Sequence, residues 1–248
     1  VNAAECLLRE LAVPGYRPEP IALGANTDAY QPVERERGIT RAVLAELVRC
    51  RHPLLVITKS ALVERDIDLL AEAAQEGLAR VHVSVTTLDR GLARAMEPRA
   101  ASPERRLRTI ERLAAAGIPT GVLVAPVIPA LTDHEPERIL AAAAAAGAGD
   151  AGYVLLRLPL ELREMFSDWL DRAVPLRAGH VRSRLRAMRG GQDYQAGFGT
   201  RMRGTGEDAR LLAQRFDRAC RRLGLDTGLP ALRCDRFTPP GRRQLDLF

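Results

Sequence analysis

One lysine stands among 37 basic residues: Lys59, in the run Thr58-Lys59-Ser60. A lone ammonium at a strand end can bind a carboxylate or phosphate, or act as an amine nucleophile when desolvated. An exposed solubilising charge is the plain alternative. Glu97-Pro98-Arg99 opens what reads as a long loop, and an arginine there can hold a carboxylate in bidentate fashion. Gly24-Ala25-Asn26-Thr27-Asp28-Ala29-Tyr30-Gln31-Pro32 and Ser84-Val85-Thr86-Thr87 are rich in hydrogen-bonding groups, and Pro126 and Arg157 close two further segments. Each group alone fits a turn or a helix cap. Together they describe one polar rim suited to a ligand.

Several common chemistries lack their signatures. The chain has no G-x-S-x-G elbow, no G-x-x-x-x-G-K-[ST] loop, no H-E-x-x-H and no strand-linked G-x-G-x-x-G. His52, His82, His134 and His180 are isolated from one another; His82 alternates within a strand and reads as structural, and His134 falls in a helix's first turn. The cysteines at 6, 50, 220 and 234 form no local metal knuckle and no disulfide framework, so they read as reduced, small apolar residues. No metal ligand is assigned from spacing.

The elements that must position the rim are legible from periodicity. Short β-branched runs at Pro20–Gly24, Leu54–Thr58, Arg80–Thr86, Pro119–Ala125 and Gly152–Leu158 alternate with longer Ala/Leu/Arg segments of helical period. VHVSV and GVLVAPV are nearly all apolar, as expected of parallel strands covered on both faces. Ser102-Pro103-Glu104 predicts a helix start and Gly117 its end; Asp66–Glu76 stops at Gly77 in the same way. Thr132 and Glu135 suggest a capping box before the alanine-rich helix that ends at Gly147. A helix near Glu161–Arg172 precedes an arginine-rich stretch and the glycine-rich 190–206. A last amphipathic helix covers Glu207–Leu223, with Leu211, Leu212, Phe216, Ala219 and Cys220 on one face, and the tail from Thr227 looks irregular. Strand–helix alternation predicts an α/β fold with parallel strands and ligands at their carboxyl ends. The division is a barrel-like part over 1–160 and a C-terminal extension over 161–248.

Composition narrows the setting. At 248 residues, 46% hydrophobic and 27% charged, the chain has an ordinary globular balance. No run of apolar residues is long enough for a membrane span and no signal peptide is evident, so a cytoplasmic setting is expected. The net charge of +6 is uneven: from Arg177 onward 16 arginines face 7 acids, whereas the preceding residues carry 21 basic and 24 acidic groups. A basic C-terminal third can mark a nucleic-acid-facing surface, although the near-exclusive use of arginine also looks like coding bias.

The ordered blocks GANTDAYQPVERERGITRAVL, HPLLVITKSALVERDIDLLAE, VHVSVTTLDRGLARAMEPRAASPERRL, GVLVAPVIPALTDHE and GYVLLRLPLE, with AGFGTRMRG and RFDRACRRLGL, resemble the radical S-adenosylmethionine superfamily. The branch they are most similar to is the spore-photoproduct-lyase-like group labelled DNA repair photolyases. That resemblance implies a partial (β/α)6 TIM-like barrel holding S-adenosylmethionine (AdoMet) and a 4Fe-4S cluster, and a reductant such as flavodoxin or ferredoxin. Reductive cleavage of the sulfonium would give a 5′-deoxyadenosyl radical. By position, the segment with Gly24, Asn26, Thr27 and Asp28 would receive the methionine amino group. Ser84 and Thr86 would touch ribose or carboxylate, Arg99 the carboxylate, and Val124 and Pro126 would flank adenine, with Lys59 and Arg157 lining the same cavity. The CxxxCxxC loop that holds the family's cluster has no counterpart in this sequence, and NAAECLLRELA resembles the helix that normally follows it. The expectation is an enzyme lacking its first strand and cluster loop at the N-terminus, inactive as it stands. Two other readings remain at this level: a Schiff-base lyase or aldolase-type barrel using Lys59, and a non-catalytic nucleic-acid-binding module using Arg177–Arg203.

Overall fold

The computed structural model describes residues 2–191 and 202–241. Helix α1 (Ala3–Leu11) leads into β1 (Ile21–Leu23), and α2 (Glu34–Arg37) and α3 (Ile39–Arg49) lead to β2 (Leu54–Thr58). A 3-10 turn (Ala61–Asp66) and α4 (Ile67–Gln75) connect to β3 (Ala79–Ser84); α5 (Arg90–Met96) and α6 (Pro103–Ala115) connect to β4 (Thr120–Val127). Helix α7 (Pro136–Ala145) precedes β5 (Asp150–Leu155), and α8 (Leu162–Ala173), α9 (Pro175–Ala187) and α10 (Gly206–Leu223) follow. The five strands form one parallel sheet in the order β1-β2-β3-β4-β5, whose ends do not join. All five predicted strands are present, each within a few residues of its expected span.

Local chemistry accounts for the boundaries. Ser102 Oγ accepts a hydrogen bond from Arg105 N at 3.3 Å, Pro103 opens α6, and Gly117 follows its end with φ 75°. The capping box expected at Thr132 and Glu135 does not form. Thr132 Oγ1 instead accepts from Ile128 N, and the Glu135 carboxylate accepts from Thr87 Oγ1 and Leu88 N, both at 2.7 Å. That carboxylate fastens the loop after β4 to the loop after β3, a bond across the fold that no local pattern could announce.

The core lies between the sheet and its helices. Leu54, Val56, Val81, Val83, Val122 and Leu155 are fully buried, each contributing about 2 kcal/mol from removal of apolar surface. VHVSV and GVLVAPV fall on the central strands, where both faces are largely covered. The flanking β2 alternates between buried and half-buried residues, because an unclosed sheet leaves part of its second face to solvent. Helix α10 joins the same core through Leu212, Phe216, Ala219 and Cys220, with the Phe216 ring 4.8 Å from Tyr153. Leu211, expected on that face, is 55% exposed and lies off it. Among the described residues the tail from Thr227 has neither helix nor strand, yet it is pinned under the amino ends of the strands. Arg233 N donates to Gly77 O at 2.9 Å, Thr238 N to Cys50 O at 2.8 Å, and Phe237 packs against Tyr16 and His52. Among the described residues no helix is long and apolar enough to cross a membrane.

Candidate functional site

Beyond the carboxyl ends of β1, β2 and β3 the chain builds a cleft of about 680 Å³. Its first wall begins at Gly24, with φ +94° and no room for a side chain: a Cβ would fall 2.0 Å from Ile57 O. The glycine lets the end of β1 lie directly against β2. Asp28 then ties the two together. Its Oδ1 accepts from Tyr30 N (2.9 Å) and Thr58 Oγ1 (2.7 Å), and its Oδ2 from Lys59 N (2.8 Å). Tyr30 is buried behind this turn and donates to Asp66 Oδ2 at 3.1 Å, while Arg41 and Arg65 hold the fully buried Asp66. Burial and the Asp66 charge push the Tyr30 phenol far above its ordinary range.

The cleft floor is set by Glu97. Its Oε1 pairs with the Lys59 ammonium, and its Oε2 accepts from Arg106 Nη2 at 2.6 Å and Thr86 Oγ1 at 3.4 Å. Burial alone would raise this carboxyl, yet the two cations bring it below its ordinary value, so the charged form is held. Arg106 is 2% exposed and also donates to Ser84 O (3.1 Å) and Ala101 O (2.8 Å). Arg35 and Arg99 line the cleft and stand exposed, neither with a side-chain partner among the described residues. Arg99 does not sit in a long loop, as expected from sequence; α5 intervenes after β3, and Glu97 directly follows that helix.

The predicted residues therefore separate into groups. Asp28, Lys59 and Arg99 line the cleft, while Gly24, Ser84 and Thr86 form its support. Asn26 and Thr27 lie exposed in the loop after β1, with Thr27 Oγ1 accepting from Gln31 Nε2. Val124 and Pro126 are on β4, and Arg157 follows β5 with Nη1 3.8 Å from Met202 Sδ; none of the three lines this cleft. Sequence reasoning missed Glu97, Arg106 and Tyr30 as parts of the site. Glu97 sits two residues from the selected Arg99, but its partners come from β2 and α6. Arg106 lies in a strongly charged helical run that reads as a solvated face.

The described residues do not fit an iron–sulfur cluster. Cys6 and Cys234 are half-buried, Cys50 and Cys220 buried, and no three potential ligands converge among the described residues. Burial pushes both buried thiols up, Cys220 to about 11, against thiolate formation. The basic stretch Arg177–Arg203 is largely occupied within the fold. Arg182 pairs with Asp171, Arg184 with Asp208 at 2.8 Å, and Arg203 stacks 4.2 Å from the Tyr153 ring centre. Arg189 is 1% exposed and donates to Leu155 O and Leu156 O. The part of that stretch at 192–201 lies outside the described residues.

A parallel strand–helix sheet with a cleft at its carboxyl rim defines an α/β architecture, in which that rim is where ligands commonly bind. Comparison makes the class specific: residues 7–143 match the model of the radical SAM superfamily, more than half of the chain, and the protein belongs to that superfamily. A protein of Mycobacterium tuberculosis named only as uncharacterized is 39% identical over 176 residues, covering 70% of this chain and 52% of that one. An uncharacterized protein of Methanocaldococcus jannaschii is 31% identical over 115 residues, 46% of this chain and 43% of that one. The chain thus spans about half the length of the curated relatives it matches. A solved structure of a spore photoproduct lyase variant with bound AdoMet and dinucleoside spore photoproduct superposes with a TM-score of 0.60 at 16% identity. It covers 89% of this chain and 63% of that chain, a likeness of fold.

Proposed function

We propose that this chain is the AdoMet-binding part of a radical SAM enzyme, with the cofactor seated on the rim above β1–β3. The observation that carries this reading is the cleft itself. It lies at the carboxyl ends of strands inside the matched segment, with the Lys59 ammonium and Arg99 guanidinium presented to it. The volume suits a nucleoside-sized ligand, and the cations suit a carboxylate. Lys59 and Arg99 would take the methionine carboxylate, and the Gly24–Asp28 segment would face the amino group through backbone carbonyls, since the Asp28 carboxylate is engaged. Ser84 and Thr86 would support the ribose side, whereas Val124, Pro126 and Arg157, expected along the same rim, lie beyond the cleft and would be reached only by a ligand extending toward β4 and β5. Bound AdoMet supplies, in this superfamily, a 5′-deoxyadenosyl radical that takes a hydrogen atom from substrate.

Because the four cysteines do not fit a 4Fe-4S cluster, its thiolates belong in this reading to a part of the full protein beyond these residues, as do reduction by flavodoxin or ferredoxin and turnover. The substrate is read as nucleic acid by analogy with the dinucleoside bound in the lyase of similar fold. The amine-nucleophile reading of Lys59 is not adopted, because its side chain is engaged by the Glu97 carboxylate. Titration calorimetry of AdoMet into this chain tests the proposal. Saturable binding abolished in Lys59→Met and weakened in Arg99→Ala supports it; absence of binding by the folded chain rejects it.

A further inference from the structure

The carboxylate of Glu97 is bound on both sides by cations of opposite accessibility. Lys59 is 30% exposed and faces the cleft, whereas the Arg106 side chain is 3% exposed and is further held by Ser84 O and Ala101 O. One end of the pair is therefore fixed by the sheet and the other projects into the cleft. A lysine side chain has about four rotatable bonds and loses rotamer freedom when held in place. Here that ordering precedes ligand arrival, and an ammonium has three donors, of which Glu97 takes one.

The geometry points to Glu97 as the positioning residue of this site: it orients the Lys59 ammonium toward an anionic ligand group, with Arg106 as the buried anchor that fixes Glu97. The inference rests on the cleft's assignment to AdoMet only for the identity of the ligand; the clamp itself is a property of the unliganded chain. Thr86 shares the same carboxylate and donates to Ala125 O at 3.1 Å, so the clamp also ties β3 to β4 at the rim. Arg99, two residues along, lines the same cleft as Lys59, carried there by the short turn after α5.

Because Lys59 is the only lysine, an amine-acylating reagent such as acetic anhydride reports on it directly, with the labelled peptide identified by mass spectrometry. In the intact chain at pH 8, acylation of Lys59 is expected to be slow. In Glu97→Gln it should rise severalfold, because the amine is no longer held against the carboxylate and becomes accessible to the reagent. Glu97→Gln leaves Arg106 buried without its counter-ion, so Glu97→Gln/Arg106→Met serves as a second variant that removes both charges. Its rate should rise equally while its melting curve stays cooperative. Arg106→Met alone should raise the rate less, since Glu97 remains but is no longer fixed. An unchanged Lys59 rate in either folded Glu97 variant overturns the clamp. Slowing of the wild-type rate by AdoMet reads the ligand separately, so a clamp without AdoMet protection rejects the cofactor assignment and leaves the positioning role standing.

Discussion

The two ends of the sheet use their arginines and acids in opposite ways. Above β1–β3, half-buried acids are spent on building a surface: Asp28 and Glu97 are engaged by backbone, hydroxyl and cation partners, and the cations facing the cleft are Lys59, Arg35 and Arg99. Around β5 and α9 the arginines themselves are spent. Arg189 closes two strand-end carbonyls, Arg182 and Arg184 bridge helices, and Arg203 covers a tyrosine ring. These four arginines are therefore parts of the fold, whereas Arg35 and Arg99 are left to the cleft. Net charge along a sequence counts groups, but binding depends on which of them the fold leaves unspent.

Variants can break this contrast. The largest expected effect is Gly24→Ala, where a Cβ 2.0 Å from Ile57 O and a φ of +94° force the end of β1 away from β2. The cost should be about 4 kcal/mol in chemical denaturation, with AdoMet binding lost alongside. Arg189→Met should cost about 2 kcal/mol by leaving the Leu155 and Leu156 carbonyls unpaired. Its AdoMet affinity should stay at the wild-type level; a loss of binding instead would mean that the two ends are coupled. Lys59→Met reverses the pattern, with affinity down about tenfold or more and stability within about 1 kcal/mol, since its partner is also held by Arg106.

Acid sharpens the same comparison. Glu64, Glu97 and Glu137 are each drawn below their ordinary value of 4.5 by arginine or lysine partners that outweigh burial. Their stabilisation is fully present above that value and is lost as pH falls through the lowered folded values. Melting temperature should be flat near neutrality and decline below about pH 4.5, and in Glu97→Gln the decline should be shallower. Leu211→Gln, on the exposed side of α10, should change stability by no more than about 0.5 kcal/mol.

How much of this was readable in the sequence follows the range of the interactions. The strands announced themselves through β-branched runs, and α6 through Ser102, Pro103 and Gly117, because these signals act within a few residues. The rim could be placed because parallel strands put their carboxyl ends on one side. Glu97, Arg106 and Glu135 were not legible in their roles. Each finds its partner on another element, 9 to 48 residues away, and a carboxylate or guanidinium in a charged helical neighbourhood carries no mark of burial. Pro126 and Arg157 were chosen by correspondence of strand ends; the cleft occupies only the β1–β3 side, because Asp28 and Glu97 draw the walls together there.

The strap beneath the sheet has a consequence for the order of assembly. Thr238 bonds to Cys50 and Phe237 packs between Tyr16 and His52, so the first strands are sealed at their base by residues nearly two hundred positions later. During synthesis, β1 to β5 can pair as they emerge, but their lower edge stays open to solvent until the final stretch has left the ribosome. Contacts of such sequence separation close late and slow the last step. A nascent chain halted before residue 230 should therefore carry a formed sheet with the His52 ring accessible to a histidine reagent, and release of the remainder should cover it.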